Sequence, residues 1–175
     1  MQLVDYKEWE RTMPVKTMED LFVETLRDIY YAEKHILQAL PGMAKKASFA
    51  QLKDALETHR QETEVQVDRL EQVFKLINVG ARGKKCEAIE GIIAEAKEHM
   101  NAIDDPQVLD AGMIGSAQAV EHYEITRYGT LITWARQLGK DDVVELLEAS
   151  LAEEKHADEL LTQIAEAAVN EKAAA

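Results

Sequence analysis

A chain of 175 residues is long enough for one domain with a sizeable core. Its formal charge of −13, from 33 Asp and Glu against 20 Lys and Arg, opposes nucleic-acid phosphate and anionic membrane as partners and suits cations. With 46% hydrophobic but only 6% aromatic residues, 3 prolines and 8 glycines, the composition points to an all-α protein, and no stretch is apolar enough to span a membrane.

Residues 1–16 mix charge, aromatics and Pro14 without period. They read as an arm that packs Trp9 on the bundle or on a second subunit, or as a disordered segment. No basic start followed by an apolar run occurs there, so no signal peptide is expected. A first helix starts at Thr17, with Asp20 completing a capping box. Its inner stripe is Phe22, Leu26, Ile29, Glu33, Ile36 and Leu40, and Pro41-Gly42 should kink it before it ends near Ala47. Ser48 and Gln51 form a capping box for a second helix. That helix has the stripe Leu52, Leu56, His59, Glu62/Thr63, Gln66, Leu70 and Phe74, and Gly80 and Gly83 end it.

A crossover over 79–105 carries a shorter amphipathic helix near 86–101, opened by Cys86. As Cys86 is the one cysteine, no internal disulfide exists and a reducing, cytoplasmic setting is expected. Asp105-Pro106 is an N-cap followed by proline at the first helical position, so a third long helix runs from there until Gly139 closes it. Asp141 and Asp142 suit the first turn of a fourth helix. Its stripe reads Val144, Leu147, Leu151, Glu154, Asp158, Leu161 and Ala165, and residues 171–175 should fray. Four helices of roughly 30 residues, in two tight hairpins joined by one long connection, make a ferritin-like four-helix bundle over 17–170.

The acids on these stripes share a height. Glu33 lies 15 residues before Ser48 and Glu62 lies 14 after it; Glu124 lies 15 before Gly139 and Glu154 15 after it. At about 1.5 Å per residue, each sits roughly 22 Å from its turn. Glu121, His59 and Asp158 fall within about one turn of this layer. Several buried carboxylates at close range cannot all ionise without cations. One such acid alone reads as a solvated boundary residue, but four at one height read as a metal site. Glu33, Glu62, Glu121, Glu124, Glu154, Asp158 and His59 are its candidate ligands. Oxygen ligands with one or two imidazoles suit two iron or manganese ions, and thiolate ligation is excluded. His122 and His156 lie off their stripes, and His35 and His99 read as solvated. The tyrosines read as core or interface residues.

Leu26-Arg27-Asp28-Ile29-Tyr30-Tyr31-Ala32-Glu33-Lys34, then His59 to Thr63, Ala119-Val120-Glu121-His122-Tyr123-Glu124 and Glu153-Glu154-Lys155 to Leu160 resemble the YciE/YciF family of bacterial stress-associated ferritin-like proteins. The resemblance covers residues 17–170. It implies a ferritin-like bundle, a homodimer and a di-iron-type carboxylate site. The wider ferritin and rubrerythrin pattern places a histidine about three residues after the glutamate of the second and fourth helices. Here Val65-Gln66 and Ala157-Asp158 stand there instead, so the implied site is rich in carboxylate and poor in imidazole.

Three functions follow as expectations. One is a di-iron oxidoreductase acting on peroxide or oxygen, of peroxidase or ferroxidase type. A second is metal binding or storage without catalysis. The third is a structural stress protein acting through protein contacts. A DNA-coating role is opposed by the charge and the lack of a basic tail.

Overall fold

A computed structural model describes residues 15–175. The expected arm and Trp9 lie almost wholly outside the described residues. Within them the elements are α1 (Met18–Lys46), α2 (Ala50–Leu76), α3 (Glu87–Ala102), α4 (Pro106–Gln137), α5 (Asp141–Ile164), a π-helical turn (Ala165–Val169) and α6 (Asn170–Ala173). No strand occurs among the described residues. No helix is long and apolar enough to cross a membrane.

α1, α2, α5 and α4 pack in that cyclic order, and α3 lies across α4 and α1. Asp110, near the start of α4, bonds the α1–α2 turn, and Lys140, before α5, pairs with Glu19 at the start of α1. Neighbouring long helices therefore run antiparallel. Phe22, Leu26, Leu70, Phe74, Leu131 and Leu147 fill the core toward one end, and Leu40, Met43, Leu52, Met113 and Leu161 toward the other. α4 has no clean amphipathic stripe because it is covered by α1, α3 and α5.

Several termini follow local chemistry read from the sequence. Thr17 and Asp20 form the reciprocal capping box, Asp105 accepts from the Gln107 and Val108 N–H groups, and Pro106 takes the first turn. Gly139, at φ +67°, closes α4 while Lys140 N–H returns to the Ala135 carbonyl. α1 passes through Pro41 and continues to Lys46.

Other termini differ from expectation. Ser48 and Gln51 do not cap α2. Phe49 is the N-cap residue, without a side-chain cap, and the buried carboxylate of Asp110 accepts from Ser48 N (2.9 Å), Ser48 Oγ (2.6 Å) and Phe49 N (2.9 Å). A carboxylate only 2% exposed needs donors, and the turn supplies three. Asn78, at φ 57°, ends α2 ahead of both glycines. Its N–H returns to the Lys75 carbonyl and that of Val79 to Phe74. Gly83 serves another purpose: a Cβ there would lie 3.2 Å from Tyr31 Cβ, so glycine lets the crossover rest on α1. The C-terminal residues stay helical as far as Ala173. They continue as the π turn and α6, because Val169 is buried and Lys172 covers the Phe49 ring.

Candidate metal centre

Each long helix presents polar side chains to the axis at mid-height. α1 contributes Glu33; α2 contributes His59, Thr63 and Gln66; α4 contributes Glu121 and Glu124; α5 contributes Glu154. All seven are 5% exposed or less. Ligand atoms of His59, Glu121, Glu124 and Glu154 all lie within 4.8 Å of one another. His59 Nε2 is 3.4 Å from Glu121 Oε1 and 4.0 Å from Glu154 Oε2.

Glu33 adjoins this group. The Tyr128 hydroxyl donates to its Oε1, and its Oε2 has no partner. On the opposite wall, the Gln66 amide donates to Glu154 Oε1 and, at 3.0 Å, to Glu153. Arg69 holds Glu153 through two bonds of 2.6 and 2.7 Å, which fixes α2 against α5 beside the cluster.

Burial raises every acid in the cluster. It pushes Glu33 up to about 8, with the neighbouring Glu154 charge adding to it and the Tyr128 hydrogen bond opposing it. Burial likewise pushes Glu121 up to about 7. Glu124 and Glu154 rise well above the usual carboxylate range, again chiefly through burial. When protonated, Glu124 can donate to Glu33 and Glu154 to Glu121. Burial pulls His59 down, but the nearby carboxylates of Glu62, Glu154 and Glu33 outweigh it, so its net shift is upward. Protons thus offset the charge that an apolar interior cannot hold.

Most of the ligand atoms of these residues nevertheless lack a partner. Glu33 Oε2, both His59 nitrogens, Glu121 Oε2, both Glu124 oxygens and Glu154 Oε2 are buried without a hydrogen-bond partner. Orphaned polar atoms are rare in protein interiors, and here they converge on one spot. Oxygens in excess over one imidazole, drawn from four helices, fit a hard or borderline divalent cation.

Two expected ligands lie at the margin. The Glu62 side chain is 28% exposed, 3.9 Å from His59 Nδ1. Asp158 is 24% exposed, and its carboxylate is engaged by Gln118 (3.0 Å) and His122 (3.3 Å) on α4. α5 and the π turn after it bury Val144, Leu147, Glu154, Leu161 and Ala165 as expected, but Ser150 and Ala157 in place of Leu151 and Asp158, and Asp158 faces the α4–α5 seam. His35 is also more than a solvated residue: its ring stacks on Tyr31 at 3.8 Å.

Two supporting residues escaped sequence reasoning. Tyr128 is read as a core or interface residue, although it follows Glu124 by one turn on the same stripe. Gln66 is read as a missing histidine rather than as the donor that holds Glu154.

The protein-family model described as a domain of unknown function, DUF892, matches residues 17–174. The chain belongs to the DUF892 family. This DUF892 chain is 43% identical to Protein YciF of Escherichia coli K12 over 162 residues, 92% of this chain and 98% of YciF. The crystal structure of E. coli stress protein YciF matches with a TM-score of 0.85 at 43% identity, covering 89% of this chain and 99% of that one. YcfI from Rhodopseudomonas palustris, provisionally described as a structural protein, matches with a TM-score of 0.85 at 50% identity, covering 86% and 96%. A Xanthomonas campestris protein matches at 0.69 with 25% identity, covering 87% and 94%. The YciF-type resemblance and the all-α bundle therefore hold for this DUF892 member.

Proposed function

We propose that the cluster holds two divalent cations, iron or manganese, and that the protein is a di-metal carboxylate protein of the stress response reducing a small oxidant such as peroxide or oxygen. The observation that carries this reading is the convergence of seven partnerless, buried ligand atoms from Glu33, His59, Glu121, Glu124 and Glu154. Four carboxylates and two divalent ions balance in charge. Glu121 and Glu154 flank His59, while Glu33 and Glu124 complete the opposite side of the layer. Tyr128 and Gln66 orient Glu33 and Glu154. Glu62 and Asp158, at the margin, are the remaining candidate ligands. Bound iron or manganese would supply the redox chemistry; the protein supplies fixed ligands and a site largely closed to water.

Protein purified without metal should take up two ferrous or manganous ions per chain and melt at higher temperature when loaded. Fewer than one ion per chain with unchanged melting ends the metal reading. Anaerobic loading followed by peroxide should give a fast optical change. Turnover no faster than that of free iron removes the oxidoreductase part alone. That outcome would favour a second reading, a non-catalytic metal-binding or structural stress protein, which the description of YcfI supports. Homodimerisation and a cytoplasmic setting belong to the same proposal, and light scattering at micromolar concentration tests the dimer.

A further inference from the structure

Beside the metal layer lies a second feature that the proposed chemistry does not use. A cavity of about 300 Å³ opens between α1, α3 and α4 and reaches down to His59 and Glu121. Its walls are apolar, built from Ile36, Leu40, Met43, Ile93, Ala96 and Val120. Protein cores pack tightly, with voids rarely larger than a water molecule. A dry cavity of ~150 Å³ already accepts benzene, so this one has room for a larger apolar guest. At ~30 Å³ per water-sized group, it holds about ten methylene-sized groups.

The rim is basic and the floor is polar. Lys46 and Lys97 are both exposed and line the cavity at the α1–α3 seam. Lys46 Nζ donates to the Met100 carbonyl (3.0 Å) and Asn101 Oδ1 (3.3 Å), which pins the ammonium at the seam. An ammonium has three donors, so one remains for an anion. The floor ends on Glu121, with Glu154 behind it. An anionic head is therefore attracted at the mouth, by the two ammonium groups. Gly42 lies at the mouth, and a Cβ there would meet nothing within 4 Å.

We propose that this cavity binds a medium-chain aliphatic carboxylate, its tail inside and its carboxylate at Lys46 and Lys97. The far end of the tail then lies against His59 and Glu121. The inference goes beyond the metal reading and does not depend on it, because walls and rim are formed by residues outside the cluster.

Isothermal titration calorimetry with the full-length protein, metal-free and metal-loaded, tests it. Straight-chain carboxylates from hexanoate to dodecanoate should bind one per chain. Affinity should rise about fourfold per methylene, from ~0.8 kcal/mol per buried CH₂, and level off near ten carbons. Gly42→Phe should weaken decanoate at least tenfold without lowering the melting temperature, and Ala39→Phe serves if that variant folds poorly. The double variant Lys46→Glu, Lys97→Glu should weaken decanoate at least tenfold while leaving decanol unchanged. No saturable decanoate binding, or wild-type affinity in both Phe variants, overturns the site. Decanol binding as tightly as decanoate, with no response to the charge reversals, overturns the carboxylate class.

Discussion

Gln66 of α2 donates its side-chain amide to Glu154 of α5, so the acid facing His59 is held from behind by a neutral donor fixed across the helix pair. Replacing it with an apolar residue leaves that oxygen without its donor in an interior that is 0% exposed. Gln66→Leu should therefore destabilise the metal-free protein by about 1–3 kcal/mol in urea titrations. Because Arg69 still holds Glu153, the α2–α5 packing should survive and the m-value should stay the same. A changed m-value would mean that Gln66 holds the helices together rather than positioning the acid.

The metal-free protein should lose stability as the pH rises. A carboxyl raised by folding contributes stability that is present below its unfolded value, near 4.5, and disappears as the pH rises through its folded value. For Glu121 that window closes at about 7 and for Glu33 at about 8. His59, also raised, adds stability that is present below about 6.5 and is lost above it, in the same direction. The melting temperature without metal should fall by about 10 °C between pH 5 and pH 8. With metal bound the trend should flatten or reverse, because ligation needs the deprotonated carboxylates. Calorimetric scans at five pH values, with and without chelator, check both curves.

Glu124 gives a prediction with two opposite signs. Both of its oxygens are buried and partnerless. Glu124→Gln replaces a carboxyl that must hold a proton to stay buried, and should stabilise the metal-free protein more at high pH than at low pH, by about 1–3 kcal/mol where Glu124 would otherwise ionise. The same change should abolish or halve the rise in melting temperature on adding ferrous or manganous ion. A purely structural glutamate would give destabilisation and leave the metal response alone.

Asp110 shows what a satisfied buried carboxylate contributes. It accepts three hydrogen bonds from the α1–α2 turn, more than 60 residues away in sequence. Asp110→Ala should cost about 2–4 kcal/mol by urea denaturation, with metal uptake unchanged. Asp110→Asn, which keeps at least one acceptor, should lose less.

Much of this architecture can be read from residue order, because each long helix is bounded by strong local chemistry. Thr17 with Asp20, Asp105 with Pro106, and Gly139 each satisfy terminal groups from within a few residues, so neighbouring sequence suffices to find them. Ser48 misleads because its hydroxyl is claimed by Asp110, a partner that only the assembled bundle brings near. The layer of acids is legible because height along a helix follows residue count. Rotation about the axis is less so. Neighbouring residues differ by about 100°, so taking Asp158 rather than Ala157 for the inner face misplaces that one side chain, while Glu154 and Leu161 stand where the stripe puts them. The direct contacts of Tyr128 with Glu33 and of Gln66 with Glu154 depend on side-chain reach between helices, which no single-helix pattern encodes.

The acid layer sits roughly 22 Å from either tip of the bundle. Buried Phe22 and Phe74 toward one tip, and Leu52 and Met113 toward the other, insulate it lengthwise. An ion bound at the centre would therefore have to arrive laterally, across the waist of the molecule. Glu62 and Asp158, each about a quarter exposed, are the acids of that waist that meet water.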